Sequence, residues 1–314
     1  MVNKTTPNKT TAAPPKGATQ KTQQVAVRKE TSMAESDIAT TSLHAMPDFM
    51  KEYAGLGTEN IGREDMQTPR LKLISSVNKE LQSYNELRPG MFFHDASESI
   101  LSGPIRVVPL YIDKRYILWR PRDDGGGILA RADDAVHWSP PNTSFTVKLD
   151  RKDGGHTITW KTADTVAASR LAEWGTMNPD DSQSQPAATE MYNVVFAFPD
   201  NPELEPAVFT FQRGSIKAGR AFNTKVKTIR APIFSQIHVL NSVVDTNNRN
   251  QDYYVPELKA QSLIADEEVF NQYRMYWESM SKSGLTVKDL ESAQEDTAVA
   301  EAEAPKDAGG KSKF

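Results

Sequence analysis

The chain has 314 residues, a formal net charge of −4 and no cysteine. The lack of cysteine excludes a disulfide framework and thiolate metal sites, and no stretch approaches the roughly 18 apolar residues that a membrane-spanning helix needs. The first residues lack the apolar region of a secretory signal, so we expect a protein of a reducing cytoplasm.

Residues 1–45 differ in composition from the middle of the chain. They are rich in Thr, Lys, Gln, Ala and Pro, and every charge up to Lys29 is positive. Such a segment cannot bury enough apolar surface to offset the entropy lost on folding. We expect a disordered basic arm over residues 1–45, followed by one globular core over residues 46–284.

The first strong strand signals lie between residues 106 and 119. Arg106–Ile112 and Arg115–Trp119 are rich in β-branched and aromatic residues and predict two strands. Aromatic residues among arginines suit single-stranded nucleic acid, whose bases stack while cations follow the backbone. The alternative is that Trp119 is a core residue. The candidate binding residues here are Arg115, Tyr116, Trp119, Arg120 and Arg122.

Two hairpins are predicted next. Phe145–Lys161 alternates apolar and polar residues on both sides of the turn sequence Asp153-Gly154-Gly155. Lys148 and Lys161 fall on the polar side of this alternation, and we expect them to contribute to the same basic surface. Strands over Asn193–Phe198 and Ala207–Gln212 predict the second hairpin, and Ser235–Thr246 predicts a further strand.

The segment Gly214–Pro232 contains no acid, although the chain as a whole is slightly acidic. On a helix, its apolar residues Ala218, Phe222, Val226 and Ile229 would fall in one sector of roughly 80°. The polar residues Lys217, Arg220, Thr224 and Lys227 would fall in another. A basic stripe without acids attracts phosphates, and the alternative is a solvated helix face. The candidate binding residues here are Lys217, Arg220, Lys225, Lys227 and Arg230.

The last globular element is a helix that starts after Asp266, a suitable N-cap, with acids in its first turn and Gly284 as its end. Residues 285–314 then form an acidic segment that we expect to be a flexible tail. Seven acids stand against one lysine between Asp289 and Asp307, and the chain ends in Phe314. Many short strands with few helices predict an antiparallel barrel or sandwich with helical additions.

Catalytic patterns are weak. The five histidines are scattered without metal-ligand spacing, and the triple glycine Gly125–Gly127 lacks the Lys-Ser/Thr ending of a phosphate-binding loop. We therefore expect no catalytic residue, no metal and no cofactor, with a nuclease as the enzymatic alternative.

Several motifs resemble a known family. "GREDMQTPRLKLISS", "RPGMFF", "PIRVVPLYIDKRYILWRPRDDGGG" and "GRAFNTKVK" are similar to replication-region proteins of tailed bacteriophages that are described as candidate single-stranded-DNA-binding proteins. The resemblance covers about Gly57 to Trp277. It implies an OB-like barrel, with Tyr116, Trp119, Arg120 and Arg122 near the strand surface. It also implies that Lys217, Arg220 and Lys225 lie along the path of the DNA.

The combined expectation is a non-catalytic single-stranded-DNA-binding protein of phage DNA replication or recombination, acting in the host cytoplasm. The acidic tail would compete with DNA for the basic surface and recruit replication proteins, as in single-strand binders whose acidic tail ends in an aromatic residue. Here two lysines precede Phe314, which departs from that pattern. A homo-oligomer is compatible with this expectation, and a virion-associated structural protein is the alternative.

Overall fold

The chain forms mainly antiparallel strands with a few helices, as the sequence predicts. The computed structural model describes residues 68–149, 155–246 and 252–283, together with Asn250 and a few positions between 49 and 60. The strands are β1 (Leu71–Leu73), β2 (Phe92–His94), β3 (Ser99–Leu101), β4 (Ile105–Trp119), β5 (Ile128–Ala132), β6 (Ser144–Leu149), β7 (His156–Lys161), β8 (Ala188–Ala197), β9 (Ala207–Gln212), β10 (Gln236–Thr246) and β11 (Asp252–Leu263). The helices are α1 (Glu80–Ser83), α2 (Val166–Ser169), α3 (Ile216–Ile229) and α4 (Glu267–Ser283).

Strand β4 organises the largest sheet. The two strands predicted over residues 106–119 are one continuous strand, which pairs with β8 along one edge and with β10 and then β5 along the other. The order of the main path is β11-β10-β4-β8-β9. Both predicted hairpins are present, as β6–β7 and β8–β9. Strands β1, β2 and β3 form a separate small sheet.

A β-bulge in β4 changes the phase of its side chains. Val108 pairs with Ala197 and Tyr111 with Val195, so one extra residue lies between them. The extra residue is Leu110, which directly follows Pro109, a residue without an N–H to donate to a ladder. Before the bulge Val107 faces the core beneath α3, and after it Ile112 faces the same core.

The two faces of the sheet carry separate cores. On the inner face, side chains of β4, β8, β9, β10 and β11 pack against Phe222 of α3. On the outer face, Val108 and Val195 pack against Tyr273 of α4 and Phe234. The β6–β7 hairpin covers the far end of the inner face, where Trp160 is buried near Leu118.

Helix α3 has the orientation that its sequence predicts. Phe222 is buried, and Ala218 and Val226 pack against the inner core, while Lys217 and Lys227 face solvent. Gly219 is buried where the helix approaches β9. A Cβ at this position would lie 2.7 Å from Cβ of Phe211 and 3.3 Å from Cδ2 of Tyr192. A glycine that weakens the helix in isolation therefore permits its close contact with the sheet.

The described strands form an open, curved sheet instead of the closed barrel that the sequence predicts. Strands β9 and β11, at the two edges, share no ladder. Phe211 of β9 and Leu258 of β11 nevertheless belong to the same inner core, so the sheet curves until both edges border it. Helix α3 and strand β1 each contact both edge strands.

Helix α4 begins as predicted. Asp266 caps it, because its Oδ1 accepts hydrogen bonds from the backbone N–H groups of Glu268 and Val269 at 2.9 and 3.0 Å. Among the described residues, no helix is long and apolar enough to cross a membrane. The predicted arm over residues 1–45, the predicted tail over residues 285–314 and the expected helix end at Gly284 lie outside the described residues.

The contact at Gly219 leads to a stability prediction. Gly219→Ala should lower the free energy of unfolding by about 1–3 kcal/mol, because the added methyl group overpacks against Phe211. Helix propensity alone would favour alanine by about 1 kcal/mol. Urea denaturation measures the change. Ala221→Gly, on the exposed side of the same helix, is the control and should cost about 1 kcal/mol. A Gly219→Ala variant as stable as the natural protein would contradict the close contact.

His238 leads to a second stability prediction. Burial, together with the charge of Lys225, lowers the pKa of His238 to about 4 from its ordinary 6.5. Between pH 4 and pH 6.5 the unfolded chain binds a proton that the folded chain does not. The contribution of His238 to the free energy of unfolding is therefore fully present above pH 6.5 and is lost as the pH falls towards 4. The contribution between pH 7 and pH 5 is about 2 kcal/mol.

The measurement is urea unfolding of the natural protein and of His238→Gln at both pH values. The glutamine variant should lose about 2 kcal/mol less stability than the natural protein over this range. Equal losses would show that His238 does not titrate in this way.

Candidate functional site

The side of α3 that faces solvent is basic, and the sequence around it lacks acidic residues. Lys217 and Lys227 on α3, and Arg230 directly after its last residue, are exposed, and none forms an ion pair with another residue in the described ranges. No acid occurs in the sequence between Glu205 and Asp245. A solvated helix face usually mixes charges of both signs. We call Lys217, Lys227 and Arg230 the α3 basic face.

The two other cations of this segment reach from α3 to the sheet. Nζ of Lys225 donates a hydrogen bond to the backbone carbonyl of Leu258 on the edge strand β11, at 2.5 Å. The guanidinium of Arg220 pairs with the carboxylate of Glu190 on β8. Both side chains therefore connect α3 to the sheet while remaining exposed.

A polar cluster lies where α3 meets the inner face of the sheet. Glu190 is directly opposite Tyr116, and Tyr192 is directly opposite Lys114. Nζ of Lys114 lies 3.0 Å from Oε1 of Glu190, and the Tyr192 hydroxyl donates to the same oxygen at 2.8 Å. We call Lys114, Tyr116, Glu190, Tyr192 and Arg220 the Glu190 cluster.

In the Glu190 cluster, the ionised forms of Glu190 and Lys114 stabilise each other. Burial alone would raise the pKa of Glu190, but hydrogen bonds from Lys114, Arg220 and Tyr192 keep it below its ordinary value. Burial alone would lower the pKa of Lys114, but its hydrogen bonds with Tyr116 and Glu190 raise it. Nζ of Lys114 also lies 4.9 Å from the ring centre of Tyr116 and 5.7 Å from that of Tyr192.

The structure corrects the role expected for Arg115. Its side chain is only 6% exposed, and it pairs with Asp113 and, at 3.2 Å, with Asp133. It lies on the outer face of the sheet, opposite Met191, away from α3. Arg115 therefore stabilises the sheet and is not part of the candidate binding surface.

The other predicted residues of β4 and its continuation are spread out. Trp119 is half-buried against Ile117 and Met191 on the outer face, which agrees with the core alternative. Arg120 pairs with Asp124 at 3.0 Å. Arg122 is exposed, on a 3-10 turn that contacts β6.

The β6–β7 hairpin presents its two lysines to solvent. Lys148 and Lys161 are exposed on the face opposite Val147 and Trp160, which are buried. Neither lysine forms an ion pair with another described residue. The structure therefore brings Tyr116 and Arg220 together around Glu190, and places the hairpin lysines, exposed, on β6 and β7.

A cleft of about 330 Å³ lies between the edges of β9 and β11 and strand β1. Its lining includes Arg213, Ser215, Tyr253 and Tyr254, and part of β1. Gly214, which precedes Ser215 and α3, also borders it. The cleft marks the position where a ladder between β9 and β11 would close the sheet.

Comparison with protein families identifies a phage protein. The Pam3 phage gp34-like protein family matches residues 36–286, well over half of the chain. The chain belongs to this family. No curated protein and no solved structure matches it.

Two candidate functional residues, Glu190 and Trp174, were not predicted from the sequence. Glu190 was missed because it lies 30 residues from Arg220 along the chain, although its alternation with Tyr192 in β8 places both on one face. Trp174, in the loop between α2 and β8, is 70% exposed, more than any other large apolar side chain in the described ranges. A tryptophan between Glu173 and Gly175 in a loop is the signal that could have indicated it.

Proposed function

We propose that this phage protein binds single-stranded DNA without catalysing a reaction, in DNA replication or recombination in the host cytoplasm. The observation that carries the proposal is the α3 basic face, whose cations are exposed and have no acidic partner among the described residues. Such cations exchange small counterions for backbone phosphates, which gives affinity with little sequence preference.

The exposed ring of Trp174 supports single strands over duplex DNA as the ligand. Trp174 offers a ring on which an unpaired base could stack, and bases inside a duplex are not available for such stacking. Tyr116 and Tyr192 border the α3 basic face through Arg220. Lys148, Lys161 and Arg122 would add positive charge along a longer strand.

The order of the strands supports an OB-like origin for the sheet. In chain order, the five strands of the main path are β4, β8, β9, β10 and β11, with α3 between the third and the fourth. The third and fifth border the gap. A partly open five-stranded Greek-key barrel that binds oligonucleotides is the OB-fold. In such a barrel, Trp174 and the β6–β7 hairpin would belong to the long loop between the first and second strands.

The basic face is tested by neutralising two lysines. Lys217→Gln with Lys227→Gln should weaken binding to a labelled oligothymidylate about tenfold at low salt, because each phosphate contact contributes about threefold. The slope of log affinity against log salt should become shallower by about 1.4, because each contact to a single strand contributes about 0.7. Fluorescence anisotropy at several salt concentrations measures both quantities.

The matched control removes the same charge elsewhere. Lys259→Gln with Lys282→Gln changes two exposed lysines outside α3 and should leave affinity and slope nearly unchanged. If both double variants bind alike, the α3 basic face is a solvated surface and not the DNA interface. If the natural protein binds duplex DNA of equal length as tightly as the single strand, the proposed function is wrong.

Trp174 leads to a separate prediction. Trp174→Ala should weaken single-strand binding by about 1–3 kcal/mol, because one stacking platform is lost, while the midpoint of urea unfolding stays the same. Met275→Ala, which shortens an apolar side chain that is 67% exposed on α4, is the control. Unchanged binding by Trp174→Ala would remove this residue from the interface.

A virion-associated structural role is the second candidate. Met275, Tyr276 and Trp277 lie on α4 as exposed large apolar side chains, and neighbouring exposed apolar residues mark protein contacts. Detection of the chain in purified phage particles would favour this role.

A further inference from the structure

We propose that Lys114, Tyr192 and Arg220 form a phosphodiester-binding site that Glu190 occupies in the free protein, so that DNA must displace this internal carboxylate. The inference rests on the proposed function and assigns a regulatory role to one residue of the same surface.

The geometry is that of an anion site with an anion in it. Donors from three elements converge on one carboxylate: Nζ of Lys114 from β4 at 3.0 Å, the hydroxyl of Tyr192 from β8 at 2.8 Å, and the guanidinium of Arg220 from α3. Ammonium, hydroxyl and guanidinium groups are also the donors that bind a phosphate oxygen. Two positive charges meet one negative charge, so the site has an excess of positive charge.

The exposure of these groups allows an exchange of partners. The side chain of Arg220 is 60% exposed and that of Lys114 is 39% exposed, whereas that of Glu190 is 15% exposed. The cations therefore lie between the carboxylate and solvent. A phosphate that arrives from solvent meets Arg220 and Lys114 first and replaces the Glu190 carboxylate as their partner.

The site also continues the α3 basic face. Arg220 lies one helical turn from Lys217, in the same polar sector of α3 as Lys227. A strand that runs along α3 from Lys227 to Lys217 passes Arg220 between them, and Arg220 and Lys114 share the carboxylate of Glu190. Tyr116, whose ring faces the ammonium group of Lys114, borders this end of the path.

The consequence is that Glu190 reduces affinity for DNA. In the free protein its charge stabilises Arg220 and Lys114, and in the complex it repels the phosphate that has taken its place. Neutralising Glu190 removes this repulsion and makes both cations available. A glutamine retains the shape of the side chain and one acceptor oxygen.

The experiment compares Glu190→Gln with Asp200→Asn. Asp200, on the β8–β9 loop, forms an exposed ion pair with Arg106, so its variant makes the same change in net charge away from α3. Glu190→Gln should bind oligothymidylate about three- to tenfold more tightly than the natural protein at low salt, as expected for the removal of one nearby like charge. Its salt slope should steepen by about one. Asp200→Asn should match the natural protein.

Arg220→Gln tests the site without altering a half-buried group. It should weaken binding several-fold and make the salt slope shallower by about one. An unchanged slope would mean that Arg220 only positions α3, and would overturn the inference even if Glu190→Gln did not fold.

The two proposals fail in different ways. If the natural protein binds single strands but Glu190→Gln binds no more tightly than Asp200→Asn, Glu190 does not occupy a phosphate site and the proposed function stands. If neither the natural protein nor Glu190→Gln binds single strands, the proposed function is wrong, and this inference fails with it.

Discussion

The contact between α3 and the sheet is the constraint on which the rest of the structure depends. Phe222 places its ring against Phe196, Phe211 and His238, with ring centres 5.2–6.2 Å apart. Because Gly219 has no side chain, the helix comes close enough for this packing. The same contact fixes which side of the helix faces solvent and brings Arg220 within reach of Glu190. The core and the candidate interface thus share one element.

Patterns that are local in sequence predicted local structure well. The orientation of α3 could be predicted from the spacing of Phe222 and Val226, and the N-cap at Asp266 from its position before a run of acids. Both depend on interactions within a few residues. Strand β11 was not predicted, although it has twelve residues. Its Pro256 is unusual inside a strand, but β11 is an edge strand, where a missing N–H is tolerated.

The features that could not be predicted depend on contacts between residues that are distant along the chain. Arg115 and Trp119 lie on one face of β4 by alternation, but alternation alone does not show that this face is covered as well. A sheet covered on both faces no longer distinguishes a buried position from an exposed one by alternation. Arg115 is consequently a buried ion-paired residue, whereas Lys217, on a helix with one free face, is exposed as predicted. The partnership of Glu190 with Arg220 depends on the docking of α3, which no local pattern encodes.

The bulge at Pro109 has a consequence for how this family can vary. Odd-numbered residues of β4 face α3 before the bulge, and even-numbered residues face it afterwards. Because the bulge adds one residue, Lys114 and Tyr116 point towards the helix, and Arg115 and Ile117 point away from it. Loss of a single residue there would exchange the two sets, burying an ammonium group on one side and presenting a guanidinium on the other. Single substitutions along β4 leave this alternation intact, whereas the gain or loss of one residue near Pro109 would reverse which side chains face α3.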